Sequence, residues 1–290
     1  MITGTLLAVQ ISLWVAIALT GDAAAWRPLL LVPGQFSPIA LFTAPFIHLD
    51  VFHLATNMAL LWLLGRPLER SLGPPAFFLL YVGSALAGSL MHLSISLLLP
   101  GQAGGPASGA SGAVAGLMGA YAIRFSYQRV PLPILGGPRL SVPSALLLWA
   151  AAEVARGATA MLREQGAAVG HWAHVGGFVF GLSVAQWMGA GRAAEAERLL
   201  REVASGRRHP EEARGPLYDL LNRGCTEEEI EALLAVAPPL SRPLFEAWIE
   251  AAAAQGQVEQ ALQLYQAVAR RWGEVRVSPA ARAALEKRER

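Results

Sequence analysis

Gly109-Ala-Ser-Gly-Ala-Val-Ala-Gly-Leu-Met-Gly119 sets a serine between glycines at the head of an apolar, helix-like run. Two demands produce such a pattern. Small residues let helix backbones approach closely in lipid. A serine at the point of approach can also be reached by a base carried on another helix. The rest of the chain decides whether one demand or both operate.

The surroundings are those of a membrane protein. Of 290 residues, 54% are hydrophobic and 15% charged, too apolar for an ordinary soluble domain. Residues 1–190 hold eight of the 23 Lys and Arg and five of the 21 Asp and Glu. This segregation predicts a membrane domain over 1–192 and a soluble α-helical domain over 193–290. The net charge of +2 forms no basic stripe, which gives no ground for a nucleic-acid partner. A single cysteine, Cys225, allows neither an internal disulfide nor a CxxC metal site. The first apolar run lacks the basic region and cleavage site of a signal peptide and reads as a retained span.

A span needs about 20 mostly apolar residues. Six stretches qualify, near 2–20, 51–65, 75–99, 108–127, 142–162 and 170–190. The fold class is therefore all-α: a polytopic six-helix bundle in the lipid bilayer. The stretch from Pro28 to Ile47 is apolar but carries Pro28, Pro33, Pro38, Pro45 and Gly34, which forbid a regular span. It reads as a long loop dipping into the interface or packed on the bundle. Arg66, Arg70, Arg124, Arg129, Arg139, Arg192, Arg198 and Arg201 fall on one side of such a bundle, and Arg27 and Arg163 on the other. Both termini are then cytoplasmic, and the even-numbered spans begin at the outer face.

Polar residues at membrane depth are costly and mark function by default. His48, His53 and Asn57 open the second span, Ser111 the fourth, and His171 and His174 the sixth. Taken singly, each has a plain structural reading: a packing serine, or an interfacial histidine. Taken together they place a nucleophile, a base and two donors one or two turns below one face. Ser111 with His174 forms the nucleophile and base. His53 and Asn57, at i and i+4, share a helix face and supply oxyanion donors beside the backbone N–H of Ser111. Gly112, Gly116 and Gly119 on one helix, with Gly177 and Gly181 on the other, permit the approach this pair needs. Asp50 lies near a helix start and Glu153 in the fifth span, so a two-residue dyad without a carboxylate is the simpler reading.

These motifs resemble the rhomboid family of intramembrane serine proteases. The resemblance is carried by H-x4-H-x3-N at His48, His53 and Asn57, by GASG at Gly109–Gly112, and by A-H-x-x-G-x-x-x-G from Ala173 through His174 and Gly177 to Gly181. The turn Leu64-Gly-Arg-Pro-Leu-Glu-Arg-Ser-Leu-Gly73 is similar to the family's glutamate-bearing turn, with Glu69 in the structural position, and Trp26-Arg27 to a pair in its first loop. The likeness covers about residues 5–190. It implies Ser111 as nucleophile, His174 as general base, and His53, Asn57, Gly109 and Gly112 lining the oxyanion site. His48, Glu69, Gly177 and Gly181 follow as structural support, with no cofactor and no metal. Some relatives stack an aromatic residue, four positions after the serine, on the histidine. Here that position is Ala115.

The resemblance further implies cleavage of transmembrane segments of other proteins, with small residues favoured at the cut. The rival reading is a catalytically silent relative that binds transmembrane helices for quality control or trafficking. Its mark would be loss of the serine or histidine, and both are present. The Ala/Arg/Leu-rich composition suggests a bacterial source and hence the inner membrane. In the tail, Glu246–Val268 reads as two helices joined at Gly256. Gly256, Ala261, Tyr265 and Val268 are spaced as in half of a tetratricopeptide unit; a repeat-like module and a plain helical domain both fit. Either would offer a surface for a cytoplasmic protein partner.

Overall fold

A computed structural model describes residues 1–32, 35, 37–98, 106–131, 139–162, 168–204, 207, 242–254 and 256–289. Cys225, Arg163 and the tail prolines at 210, 216, 238 and 239 lie outside the described residues. The chain divides into two compact units, Met1–Ala190 and Gly191–Arg290.

The first unit is a helical bundle. α1 spans Ile2–Thr20, α2 Pro38–Thr43, α3 Val51–Leu72 and α4 Pro74–Leu98. α5 spans Ser111–Arg124, α6 Val142–Leu162 and α7 Ala168–Trp187. Among the described residues, α1, α4 and α6 are each long and apolar enough to cross a membrane alone. A fourth crossing arises if α3 is joined to the short helices before it, across an 83° bend.

The bundle has an apolar core, yet it also exposes large apolar side chains and buries polar ones. Phe52, Leu79, Leu148 and Val179 stand exposed, whereas Gln10, His48, Asn57, Glu69, His92 and Glu153 are buried. Lipid is as apolar as leucine, so packing and internal hydrogen bonds hold such helices together. Glu69, near the end of α3, illustrates this. Its carboxylate accepts from the backbone N–H groups of Ile2 (2.6 Å) and Thr3 (2.9 Å) and from the Thr3 hydroxyl (2.6 Å). The first turn of α1, whose N–H groups have no partners in the helix, is thereby fixed to α3.

Three expectations change. The fourth span, read as 108–127, is a helix of only 14 residues, Ser111–Arg124. At about 1.5 Å per residue it is roughly 21 Å long, short of a hydrocarbon core about 30 Å thick. Nearly all of α5 is buried, and it packs on α3, α4, α6 and α7. It is the bundle's inner post, with no lipid face to fill. The connection between α5 and α6 carries an antiparallel ribbon, Arg129–Pro131 (β1) with Arg139–Ser141 (β2), absent from the all-helical reading. The proline-rich loop is built rather than irregular. It holds a 3-10 helix at Ala23–Leu29, then α2, then a second 3-10 turn at Ala44–Phe46.

The second unit contains α8 (Ala190–Ala204, whose first residue belongs to the first unit), α9 (Arg242–Ala254), α10 (Val258–Trp272) and α11 (Pro279–Glu289). Gly256 takes φ +78° between α9 and α10, a left-handed conformation that favours glycine. Its core joins Phe245, Trp248, Ile249, Leu264 and Val268. Glu246 ties α9 to the segment before α11 by accepting from the Arg276 N–H at 2.9 Å.

Candidate active site

The segment before α5 is held on both sides. Leu31 and Ala107 exchange backbone hydrogen bonds of 3.1 and 2.8 Å, and the Gly109 N–H donates to the Ala44 carbonyl at 2.9 Å. The proline-rich loop thus guides the chain into the first turn of α5. Gly109 has φ +100°, and a Cβ there would meet the His53 ring at 2.5 Å. The glycine is required twice, by its backbone and by the histidine beside it. Below it, the Ala110 N–H donates to His48 Nε2 at 3.2 Å. His48 therefore supports the chain one residue before Ser111.

Asn57 and His174 each lie six residues into their helices, about 9 Å along the axis. Ser111 is the first residue of α5. Ser111, His53 and His174 border two cavities. One, about 430 Å³, is also lined by Gly88, Ser89, His92, Gly109 and Ala173. The other, about 230 Å³, is also lined by Thr56, Asn57, Trp149 and Glu153. Among the described residues, Ser111 Oγ makes no hydrogen bond, to His174 or otherwise.

Glycines set the approach of α5 to α7. A Cβ on Gly177 would collide with the Gly112 carbonyl oxygen, and one on Gly181 with that of Gly116. α4 joins the same seam, since a Cβ on Gly88 would lie 2.9 Å from the Ala173 oxygen and 3.2 Å from the Gly112 Cα. Gly88 was not singled out in the sequence, because its role depends on two other helices.

Asn57 stands differently from expectation. Its Nδ2 donates to the His53 carbonyl at 3.0 Å and lies 3.4 Å from His48 Nε2. Its amide hydrogens face protein atoms, although the residue lines the smaller cavity. The His53 ring packs edge-on against His48, with centroids 5.2 Å apart. The N–H groups of Ser111 and Gly112 lie in the first turn of α5, where no intrahelical acceptor exists.

The largest departure concerns Glu153. Its Oε2 lies 2.8 Å from His174 Nδ1 and 2.8 Å from His171 Nδ1, and its Oε1 pairs with Arg156. A carboxylate is thus beside the histidine where none was expected. Trp149, one turn earlier on α6, places its ring 6.1 Å from that of His174. The histidine is flanked from α6, in place of the α5 position occupied by Ala115. The sequence held a signal for this: Glu153 and Arg156 are ionisable residues in an otherwise apolar span. Glu153, His171 and His174 are also, among the described residues, a set with metal-ligand donors within 4.8 Å of one another. Their mutual hydrogen bonds already account for that closeness.

Residues 35–190 match the family described as the Rhomboid domain. The chain is 34% identical over 174 residues to Rhomboid protein 1, mitochondrial, of Saccharomyces cerevisiae, covering 59% of this chain and 47% of that protein. It is 32% identical over 142 residues to Rhomboid protease GlpG of Serratia proteamaculans, covering 49% and 45%. With Rhomboid protease GluP of Bacillus subtilis it shares 35% identity over 80 residues, 28% of this chain and 14% of that one. The chain spans about half the length, or less, of these relatives.

Proposed function

The chain belongs to the rhomboid family, and we propose that it is an intramembrane serine endopeptidase cleaving transmembrane segments of other membrane proteins. Ser111 is the nucleophile and His174 the general base. The observation that carries this reading is the convergence of Ser111, His53 and His174, from three helices, on the same two cavities.

The Ser111 Oγ attacks the scissile carbonyl carbon while its proton passes to His174 Nε2. The resulting oxyanion is met by the unpaired N–H at the head of α5 and by the His53 side chain. Asn57 joins them if its amide turns from the His53 carbonyl into the cavity. The imidazolium then protonates the departing amine as the carbon–nitrogen bond breaks. Water, activated by the same histidine, hydrolyses the acyl-enzyme and regenerates Ser111. The small residues lining the larger cavity, among them Gly88, Ser89, Ala107 and Ala173, favour a small side chain at the cut. His48, Glu69, Gly177 and Gly181 serve by holding these groups in place.

The same reading puts the protein in a bacterial inner membrane with both termini cytoplasmic. The membrane domain is 1–192, and 193–290 is a soluble helical domain that offers a surface to a cytoplasmic partner. The test is cleavage of a panel of reporter transmembrane segments in liposomes by wild type, Ser111→Ala and His174→Ala. The proposal expects cleavage by wild type alone. Equal cleavage by folded Ser111→Ala would refute it.

A further inference from the structure

We propose that Glu153 is a positioning residue for the catalytic histidine, extending the pair to a Ser111–His174–Glu153 chain; this rests on the function proposed above. The reason begins with cost. Glu153 is 4% exposed and sits in an apolar helix, where a carboxylate is expensive unless its lone pairs are fully used. They are used here, by Arg156 on one oxygen and by His171 and His174 on the other.

An ionised carboxylate accepts only, so the 2.8 Å contact requires His174 to carry its hydrogen on Nδ1. That leaves Nε2, on the opposite edge of the ring, as the bare nitrogen able to take the proton of Ser111. When it does, the imidazolium forms against a negative charge already in place. Trp149, on the same helix as Glu153, places its ring 6.1 Å from that of His174. Among the described residues, the charged and titratable groups around the pair are Arg156 on α6, His171 on α7, His53 on α3 and, across the larger cavity, His92 on α4.

A plain tie between α6 and α7 would use the same hydrogen bonds, so the experiment must separate the two roles. The full-length protein in liposomes is assayed against a cleavable reporter segment as wild type, Glu153→Gln and Glu153→Asp. Glutamine keeps the size and loses the charge. The expected result for Glu153→Gln is a fall in kcat of about 10- to 10³-fold with KM little changed. Glu153→Asp restores part of kcat. A Glu153→Gln enzyme with wild-type kcat would overturn the proposal.

If Glu153→Gln does not fold, the wild type still decides. In protein carrying 15N-histidine, His174 is expected as the Nδ1–H tautomer at neutral pH, and an Nε2–H tautomer would overturn the proposal. Should wild type cleave nothing, the proteolytic reading fails by itself, and the tautomer measurement still tests the link between Glu153 and His174.

Discussion

Replacing Gly177 by alanine tests the geometry on which the proposed catalysis depends. Gly177 follows His174 by three residues, about one turn. A methyl carbon on its Cα would overlap the carbonyl oxygen of Gly112, the residue after Ser111. The obstacle is backbone rather than a side chain that can rotate away, so α5 and α7 must separate. Ordinary contact requires about 1.5 Å of extra distance. That opening also loosens the contact at Gly116 and Gly181. Overpacking of this kind costs about 1–3 kcal/mol, equivalent to roughly 3–10 °C in Tm for a unit of this size. Displacing a base from its nucleophile by about 1 Å costs on the order of 10²-fold in turnover. The assays are thermal unfolding in detergent and reporter cleavage in liposomes. Two substitutions calibrate them. Gly4→Ala meets nothing within 4 Å and should leave Tm unchanged or slightly raised. Gly83→Ala meets the Phe180 ring at 2.6 Å, a side chain free to move, and should fall between the two. Gly177→Ala with an unaltered melting profile and full turnover would refute the glycine-contact reasoning.

Other substitutions expose other parts of the site. His53→Ala should lower turnover by about 10²-fold or more without loss of folding, since the proposed oxyanion donor is removed; unchanged turnover would remove His53 from that role. Asn57→Ala should match it only if the amide leaves the His53 carbonyl during the reaction. A smaller loss, with reduced Tm, would assign Asn57 to support of His48. Glu69→Gln keeps the shape but weakens three charge-assisted hydrogen bonds to the first turn of α1. It should reduce unfolding free energy by about 1–3 kcal/mol, read by denaturant titration, while the folded fraction keeps its kcat. Removing residues 200–290 should leave reporter cleavage intact, and its loss would place part of the catalytic function in the second unit.

The long apolar runs were legible as helices because lipid demands continuous apolar sequence, and α1 and α6 match their expected limits of 2–20 and 142–162. α5 was read too long because its flanks are apolar too. What ends it is backbone conformation at Gly109 and the turn after Arg124, which hydropathy does not record. The proline-rich loop was legible as broken, but its pairing with Ala107 joins residues 76 apart in sequence and follows from no local pattern. Ser111, His53 and His174 could be proposed together because three helix starts fall on one side of the bundle. Glu153 could not be placed, since its contact with His174 depends on how α6 rotates against α7. Glu153 was legible only as a carboxylate in the fifth span.

Covalent labelling of Ser111 is the most direct measurement. A phosphonate that reacts only with activated serines would be applied to wild type and to His174→Ala in liposomes, and the adduct located by peptide mass mapping. An adduct on the peptide containing Ser111 in wild type, and none in His174→Ala, is the expected result. Folded wild type that takes no adduct at Ser111, or equal labelling without His174, would contradict the assignment of nucleophile and base.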